Sequence, residues 1–167
     1  MSKAKNVAYL GIAIALYVVL GMTMKIPLIA HIGTDLGYIV FGFCCYVFGW
    51  PAFIVGVIGC MIESLLVSGW IPIGWMLGQL AIGMICGEVY QRSTSKAVNI
   101  ICTVVAVFIG IGVLKTGVEC ILYSIPLAVK IPKNLVATVA DIIPMLIGLF
   151  IGYRYGYLVK KDLTQSR

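Results

Sequence analysis

The stretch Ala97–Tyr123, AVNIICTVVAVFIGIGVLKTGVECILY, is a hydrophobic run long enough to cross a bilayer, and it carries Lys115 and Glu119 in its second half. A charged side chain near a bilayer centre costs roughly 2.5–3.5 kcal/mol, so such residues usually face a partner, a cavity or water. At a spacing of four, the two charges lie on one helical face, about one turn apart. Two interpretations stay open: either the charges neutralise each other, with Lys115 also able to reach the nearer interface, or they line a polar pocket.

The composition is that of an integral membrane protein. The 167 residues are 62% hydrophobic and 11% charged, and the mean hydropathy is +1.10, whereas a soluble domain carries about 25% charged residues. The net charge of +6 comes from basic residues at the ends of hydrophobic runs, which indicates membrane topology and argues against nucleic acid as a partner. The six cysteines lie in apolar runs without a Cys-x-x-Cys pair, so we expect them to serve as small packing residues.

Hydrophobic runs separated by Pro, Gly and charged residues predict an all-α membrane protein: a bundle of six transmembrane helices in a single domain, residues 1–167. The predicted helices cover about residues 6–24, 36–49, 52–68, 71–90, 97–123 and 135–157. The second has ~14 residues, or ~21 Å against a ~30 Å hydrocarbon core, so it is also compatible with a re-entrant segment. The first is longer than the core of a signal peptide and is interpreted as a span.

The basic residues predict the orientation of the chain in the membrane. Eight of the 12 fall on one side: Lys3, Lys5, Arg92, Lys96, Arg154, Lys160, Lys161 and Arg167. Three fall on the other side: Lys25, Lys130 and Lys133. Because basic residues are enriched on the cytoplasmic side, we expect both termini in the cytoplasm, in a multi-pass protein of the cell membrane.

A layer of polar residues is predicted just below the outer ends of four helices. Its members lie roughly 6–12 Å below those ends, at 1.5 Å per residue: Glu63, Gln79, Lys115, Glu119 and Asp141. Each is costly in a membrane on its own, so their common depth favours a shared substrate pocket. The alternative is a structural polar network that locks the bundle.

Four aromatic residues are predicted near the same outer ends: Tyr38, Trp70, Trp75 and Tyr123. An interfacial aromatic belt would place each of them there. Trp70 and Trp75 differ from the others because Pro72 and Gly74 interrupt the helix start between them, which favours a shaped loop. We hypothesise that these two rings form a stacking wall for a flat ligand.

Small residues repeat at a spacing of four, a pattern that lets membrane helices approach closely. Internal packing is expected for the later examples: Gly74 with Gly78, Gly83 with Gly87, and Gly148 with Gly152 and Gly156. The first helix has Ala4 with Ala8 and Gly11 with Ala15. That helix is therefore also a candidate face for a partner protein.

Familiar catalytic and metal sites find no support in the sequence. The segment from Gly110 to Thr116 ends like a P-loop, but Leu114 stands where that loop needs glycine. The one histidine, His31, has Asp35 four residues on, which gives too few ligands for a metal. No Ser/His/Asp or Cys/His set is indicated, so we expect neither enzymatic activity nor a cofactor.

Four segments carry a resemblance to a known family: Gly11-Ile-Ala-Ile-Ala15-Leu16, Leu36-Gly-Tyr-Ile-Val40, Phe48-Gly-Trp-Pro-Ala-Phe-Ile-Val-Gly-Val-Ile-Gly59 and Trp70-Ile-Pro-Ile-Gly-Trp-Met-Leu-Gly-Gln79. They resemble the substrate-binding S components of energy-coupling factor (ECF) vitamin transporters, over nearly the whole chain. The resemblance implies a six-helix protein that captures a vitamin or related micronutrient at its outer side. It also implies a membrane coupling subunit and two cytoplasmic ATPase subunits as partners, and a protein that topples in the bilayer to release its ligand.

In that family a small-residue face on the first helix meets the coupling subunit. Gly11 and Ala15 match this face, with Gly11 in place of the usual alanine, and Ala8 precedes them on the same helix. Two other functions stay open: a small membrane enzyme using Glu63, Glu119 or Asp141 as acid or base, and a stand-alone carrier. The first would also need a nucleophile, and the second is usually built from internal repeats, neither of which the sequence indicates.

Overall fold

The computed structural model describes residues 3–23, 26–29 and 32–165, which form helices and one short hairpin. The helices are α1 (Lys3–Thr23), α2 (Gly37–Phe48), α3 (Phe53–Ser68), α4 (Ile73–Arg92), α5 (Lys96–Tyr123) and α6 (Leu127–Gln165). The strands β1 (Ile26–Ile29) and β2 (Ile32–Thr34) pair antiparallel, and a short 3-10 turn (Trp50–Ala52) precedes α3. The predicted positions of Lys25, His31 and Arg167 lie outside the described residues.

Five stretches of the described chain are long and apolar enough to cross a membrane: Ala4–Thr23, Trp50–Ser68, Ile73–Arg92, Lys96–Tyr123 and Leu127–Lys161. The bundle exposes large apolar side chains, such as Val7 at 69% and Ile121 at 81%, a surface that suits lipid. The prediction of a helical membrane protein is therefore confirmed. The 12 residues of α2 reach only ~18 Å, less than the ~30 Å of a hydrocarbon core.

The largest departures from the predicted boundaries are at α6, which begins at Leu127 instead of near residue 135 and ends at Gln165 instead of near residue 157. Proline has no amide hydrogen and usually marks a helix boundary, so the sequence favours a start after Pro132. In the structure Pro132 lies inside the helix, and the Pro126 carbonyl accepts the amide hydrogen of Lys130 at 3.3 Å in the first turn. Lys130 and Lys133 therefore lie on α6, and their predicted loop position is wrong.

The middle of α5 is a π-helix, Phe108–Lys115, which the sequence did not predict. Thr116 Oγ1 donates a hydrogen bond to the carbonyl oxygen of Ile111, five residues earlier, at 3.1 Å. The separation of five residues matches the hydrogen-bond spacing of a π-helix, whose turn is wider than that of an α-helix. Short π segments inside α-helices frequently occur at functional sites, and this one ends at Lys115.

Glycines allow the helices to pack in direct backbone contact. A Cβ atom on Gly148 of α6 would collide with the carbonyl oxygen of Ile39 on α2. One on Gly78 of α4 would lie 2.7 Å from the carbonyl oxygen of Gly110 on α5. The predicted packing role is confirmed at both glycines.

The core lies between the helices and contains fully buried large side chains: Tyr17, Tyr38, Phe41, Ile82, Ile111, Met145 and Leu149. All six cysteines are free, and four of them are buried. Their burial agrees with the packing role expected for them. The hairpin leads from α1 to Asp35, which is also buried and stands directly before α2.

Candidate functional site

An open cavity of about 420 Å³ lies at the end of the bundle where α3 and α5 end and α4 and α6 begin. We call it the end cavity. Five of the nine predicted substrate residues line it: Trp70, Trp75, Lys115, Glu119 and Tyr123. The sequence analysis did not assign the other polar residues of its lining to the site: Ser64, Ser68, Lys130, Lys133 and Asn134.

Lys115 lies in the lining at the end of the π segment and is only 5% exposed. Its Nζ donates a hydrogen bond to Asn134 Oδ1 at 3.0 Å and lies 3.7 Å from the centroid of the Trp75 ring. Glu119 Oε1 is 3.9 Å away, an ion-pair distance longer than a hydrogen bond. The predicted pairing of Lys115 with Glu119 is present, but it is not the closest contact of either residue.

Glu119 makes its closest charged contact with Lys130, across the interface between α5 and α6. Lys130 Nζ donates to Glu119 Oε2 at 2.8 Å, and Asn134 Nδ2 donates to the same oxygen at 3.3 Å. Two lysines therefore share one carboxylate. Mutual neutralisation of Lys115 and Glu119 does not describe this arrangement.

Asn134 connects the charged residues of α5 with α6 and is 1% exposed. Its side chain accepts a hydrogen bond from Lys115 and donates to Glu119 and, at 2.9 Å, to Thr116 Oγ1. The sequence analysis missed Asn134 and Lys130 because it assigned both to a loop. Their spacing of four was an available signal, since it places both on one face of a helix.

The aromatic residues of the end cavity lie at two levels. Trp70 and Tyr123 are 45% and 39% exposed and meet edge to face with ring centroids 5.6 Å apart. Trp75 is more buried, under the ammonium group of Lys115. Gly74 allows α4 and α5 to approach closely here, because a Cβ atom on it would lie 3.1 Å from the carbonyl oxygen of Lys115. A cation therefore lies on Trp75, one of the two rings predicted to stack on a flat ligand, and the stacking itself stays a prediction.

The other four predicted substrate residues are not part of the lining of the end cavity: Tyr38, Glu63, Gln79 and Asp141. They are buried in a second polar cluster, together with Tyr17 and Asp35. We call these six residues the closed network. Its residues come from α1, α2, α3, α4, α6 and the segment before α2.

Hydrogen bonds connect the closed network across the bundle. Gln79 Nε2 donates to the hydroxyl oxygens of Tyr38 at 2.7 Å and Tyr17 at 3.2 Å. The Tyr17 hydroxyl in turn donates to Asp35 Oδ2 at 3.0 Å. The Asp35 amide donates to Asp141 Oδ1 at 3.2 Å. These bonds favour the structural alternative for the three layer residues that lie in the closed network, Glu63, Gln79 and Asp141.

Two carboxylates of the closed network lie against α1. A Cβ atom on Gly21 would come within 2.7 Å of Glu63 Oε2 and 3.0 Å of Asp35 Oδ1. Asp35 Oδ1 also accepts the amide hydrogen of Gly37 at 2.8 Å. The network therefore holds the start of α2 against α1 and α3.

The small residues of the first helix lie on its exposed side. Ala8, Gly11 and Ala15 are all exposed, and a Cβ atom on Gly11 would have no other heavy atom within 4 Å. Large apolar side chains are exposed on the same helix, including Ile12 and Leu16. These three small residues form what we call the α1 face. Within the described chain, no other side chain or backbone packs against the Cβ position of Gly11.

Among the residues that the structure describes, no three His, Cys, Asp or Glu side chains are arranged to hold a metal ion. The polar groups of the end cavity are instead lysines, one carboxylate, an amide and serine hydroxyls. Such groups bind small polar molecules by hydrogen bonds and charge.

A family model described as "ECF-type riboflavin transporter, S component" matches residues 1–158. The matched range includes every residue of the end cavity, the closed network and the α1 face. No curated protein matches the chain.

Proposed function

This chain belongs to the family of ECF-type riboflavin transporter S components, and we propose that its end cavity captures a vitamin or related micronutrient outside the cell. S components are substrate-binding subunits of transporters and not enzymes, so the membrane-enzyme alternative is set aside. The family and the apolar helices indicate a multi-pass membrane protein, and the family implies the prokaryotic cell membrane.

The observation that carries the proposal is the charge on the lining of the end cavity. Three lysines and one glutamate line a cavity of about 420 Å³ at the end of apolar helices. Its size falls in the range of roughly 300–1,000 Å³ that small-molecule sites occupy. Charged groups are costly in such a place. In the closed network, by contrast, the polar residues bond mainly to one another and line no part of the end cavity. An occupant of the cavity accounts for both features.

We place the end cavity outside the cell and both termini in the cytoplasm, with α2 as a sixth span. The opposite end of the bundle carries most of the described basic residues: Arg92, Lys96, Arg154, Lys160 and Lys161. This asymmetry follows the positive-inside rule. The short length of α2 is acceptable because Tyr38, Phe41 and Cys44 are buried against other helices, so that protein surrounds much of it.

The proposed partners are a membrane coupling subunit, which contacts this chain within the lipid bilayer, and two cytoplasmic ATPase subunits. The α1 face supports the first of these contacts, because small exposed residues allow a partner helix to approach closely. Gly11 and Ala15 are the proposed centre of that contact, with Ala8 at its edge.

The ligand itself gives the direct test. The protein is purified without dialysis in lipid nanodiscs, and small molecules released by denaturation are identified by mass spectrometry. We expect one molecule in near-stoichiometric amount, retained by the control variant Lys96→Met at the opposite end and largely lost from Lys115→Met. Its equal retention by a well-folded Lys115→Met protein would contradict the proposed site.

A further inference from the structure

We propose that the molecule captured by the end cavity carries an anionic group, a carboxylate or a phosphate. This inference rests on the proposed function and adds the chemical class of the substrate. Riboflavin, the vitamin in the name of the family, has no charge at neutral pH. The proposed substrate would therefore differ from riboflavin in its charge.

The first step is the charge balance of the lining. The charged residues that line the end cavity are Lys115, Lys130, Lys133 and Glu119. Glu119 is engaged by Lys130 at 2.8 Å and by Asn134 at 3.3 Å. The lining therefore has more positive than negative charge, and its one carboxylate already has a close partner.

The second step is the environment of Lys115. An ammonium group has three N–H donors. The structure gives Lys115 one hydrogen bond, to the amide oxygen of Asn134, and an ion pair with Glu119 Oε1 at 3.9 Å that is too long for a hydrogen bond. The Trp75 ring stabilises the charge from another side at 3.7 Å. With 5% exposure, water can solvate little of this group, so donor capacity and positive charge are left toward the cavity. A ligand anion complements both.

The third step is the arrangement of the cations by depth. Lys133 is exposed, Lys130 is half-buried and Lys115 is buried, so positive charge extends from the open side of the cavity to its interior. A cleft lined by one sign of charge concentrates oppositely charged molecules. The hydroxyls of Ser64 and Ser68 add neutral hydrogen-bond donors to the lining. Trp70 and Tyr123 offer apolar surface to the rest of the ligand.

Matched pairs of molecules test the charge separately from the shape. Binding to the protein in phosphatidylcholine nanodiscs is measured from tryptophan fluorescence with riboflavin and riboflavin 5′-phosphate, nicotinamide and nicotinate, and pantothenol and pantothenate. In any pair that binds, we expect the anionic member to bind roughly 10- to 150-fold more tightly, the range of one hydrogen bond to a charged group. This preference should shrink in Lys115→Met and remain in Lys96→Met.

The results separate the inference from the function on which it rests. Equal or tighter binding of the neutral member overturns the anionic substrate but leaves capture intact. If none of the six probes binds, the copurified molecule decides: an acidic group supports the inference, and a neutral or cationic molecule overturns it. Absence of both probe binding and a copurified molecule contradicts the proposed function itself.

A phosphate can also belong to a lipid headgroup, and a second membrane composition distinguishes the two sources. The measurements are repeated in nanodiscs that contain phosphatidylglycerol. Unchanged preference for the anionic probes supports a soluble substrate. Loss of all probe binding in the anionic membrane would identify a lipid headgroup as the occupant and overturn the assignment.

Discussion

The end cavity and the closed network are both groups of polar and aromatic side chains in the same bundle, but only the first adjoins open space. In the closed network, Tyr17, Gln79 and Asp141 are buried and bonded to one another or to backbone across the bundle. In the end cavity, Lys115 has one hydrogen bond and faces about 420 Å³ of open space. We therefore propose a ligand site where the polar residues adjoin a cavity, and a structural role where they bond mainly to one another.

The closed network and the end cavity differ because their polar groups have different hydrogen-bond and ion-pair partners. A buried carboxylate such as Asp35 is held by donors from its own chain, the Tyr17 hydroxyl and the Gly37 amide. The lysines of the end cavity have too few acceptors of their own, since they share Glu119. Substitutions in the closed network should therefore alter folding, and substitutions in the end cavity should alter ligand binding.

The largest expected effect lies outside both regions, on the α1 face. Gly11→Leu with Ala15→Leu should abolish transport into cells and leave ligand binding by the isolated chain within a few fold, because the added bulk meets no atom inside the bundle at Gly11. Gly117→Leu on α5 is the matched control, since its Cβ position is equally open. Joint loss of binding and transport would show that the α1 face packs inside the protein.

The next largest effect is expected in the closed network. Asp35→Ala should lower the free energy of unfolding by about 2–6 kcal/mol, because it leaves the Tyr17 hydroxyl and the Gly37 amide without their acceptor at about 1–3 kcal/mol each. Unfolding of the detergent-solubilised protein measures this. Glu88→Gln, which removes one member of an exposed helical ion pair with Arg92, is the control and should change stability by no more than about 1 kcal/mol.

A stable Asp35→Ala protein that has lost ligand binding would break the comparison. In that case the closed network would be part of the substrate site. Gln79 and Asp141 would then return as candidate substrate contacts.

A smaller effect is expected from the two charges in the end cavity. Lys115→Met with Glu119→Gln should weaken ligand binding roughly 10- to 150-fold, the scale of a hydrogen bond to a charged group, measured with the copurified ligand. The protein should still fold, because glutamine at position 119 keeps an acceptor for Lys130 and Asn134. A folded double variant with parental affinity would place this charged cluster among the structural contacts.

The smallest effect is expected at the exposed side of the cavity. Lys133→Met should weaken binding by only about 1.5- to 5-fold, because an exposed charge contributes about 0.2–1 kcal/mol. The effect should decrease as salt is added, since ions screen exposed charges. An effect as large as that of Lys115, or one that does not respond to salt, would mean that Lys133 is enclosed when ligand is bound.

The sequence was sufficient for the helical class, but not for the direction in which each polar residue faces. The depths of Glu63, Gln79 and Asp141 stay predictions, and that of Asp141 was counted from a helix start near residue 135, whereas α6 begins at Leu127. Rotation about each helix axis depends on packing, such as the contact of Gly21 with Glu63, and no single run reveals it. Asn134 was missed for another reason, because the predicted helix began near residue 135 and left Asn134 in a loop.

Protection of an introduced thiol tests most directly whether the end cavity is a ligand site open to the outside. Ser68→Cys lies in the cavity lining and Ser95→Cys at the opposite end, each in a protein whose two partly exposed cysteines, Cys102 and Cys120, are replaced by serine. With a membrane-impermeant maleimide we expect Ser68→Cys to be labelled in intact cells and protected by the copurified ligand. Ser95→Cys should react only after permeabilisation, at the same rate with and without ligand. Labelling of Ser68→Cys that requires permeabilisation, or that the ligand does not slow, would contradict the account.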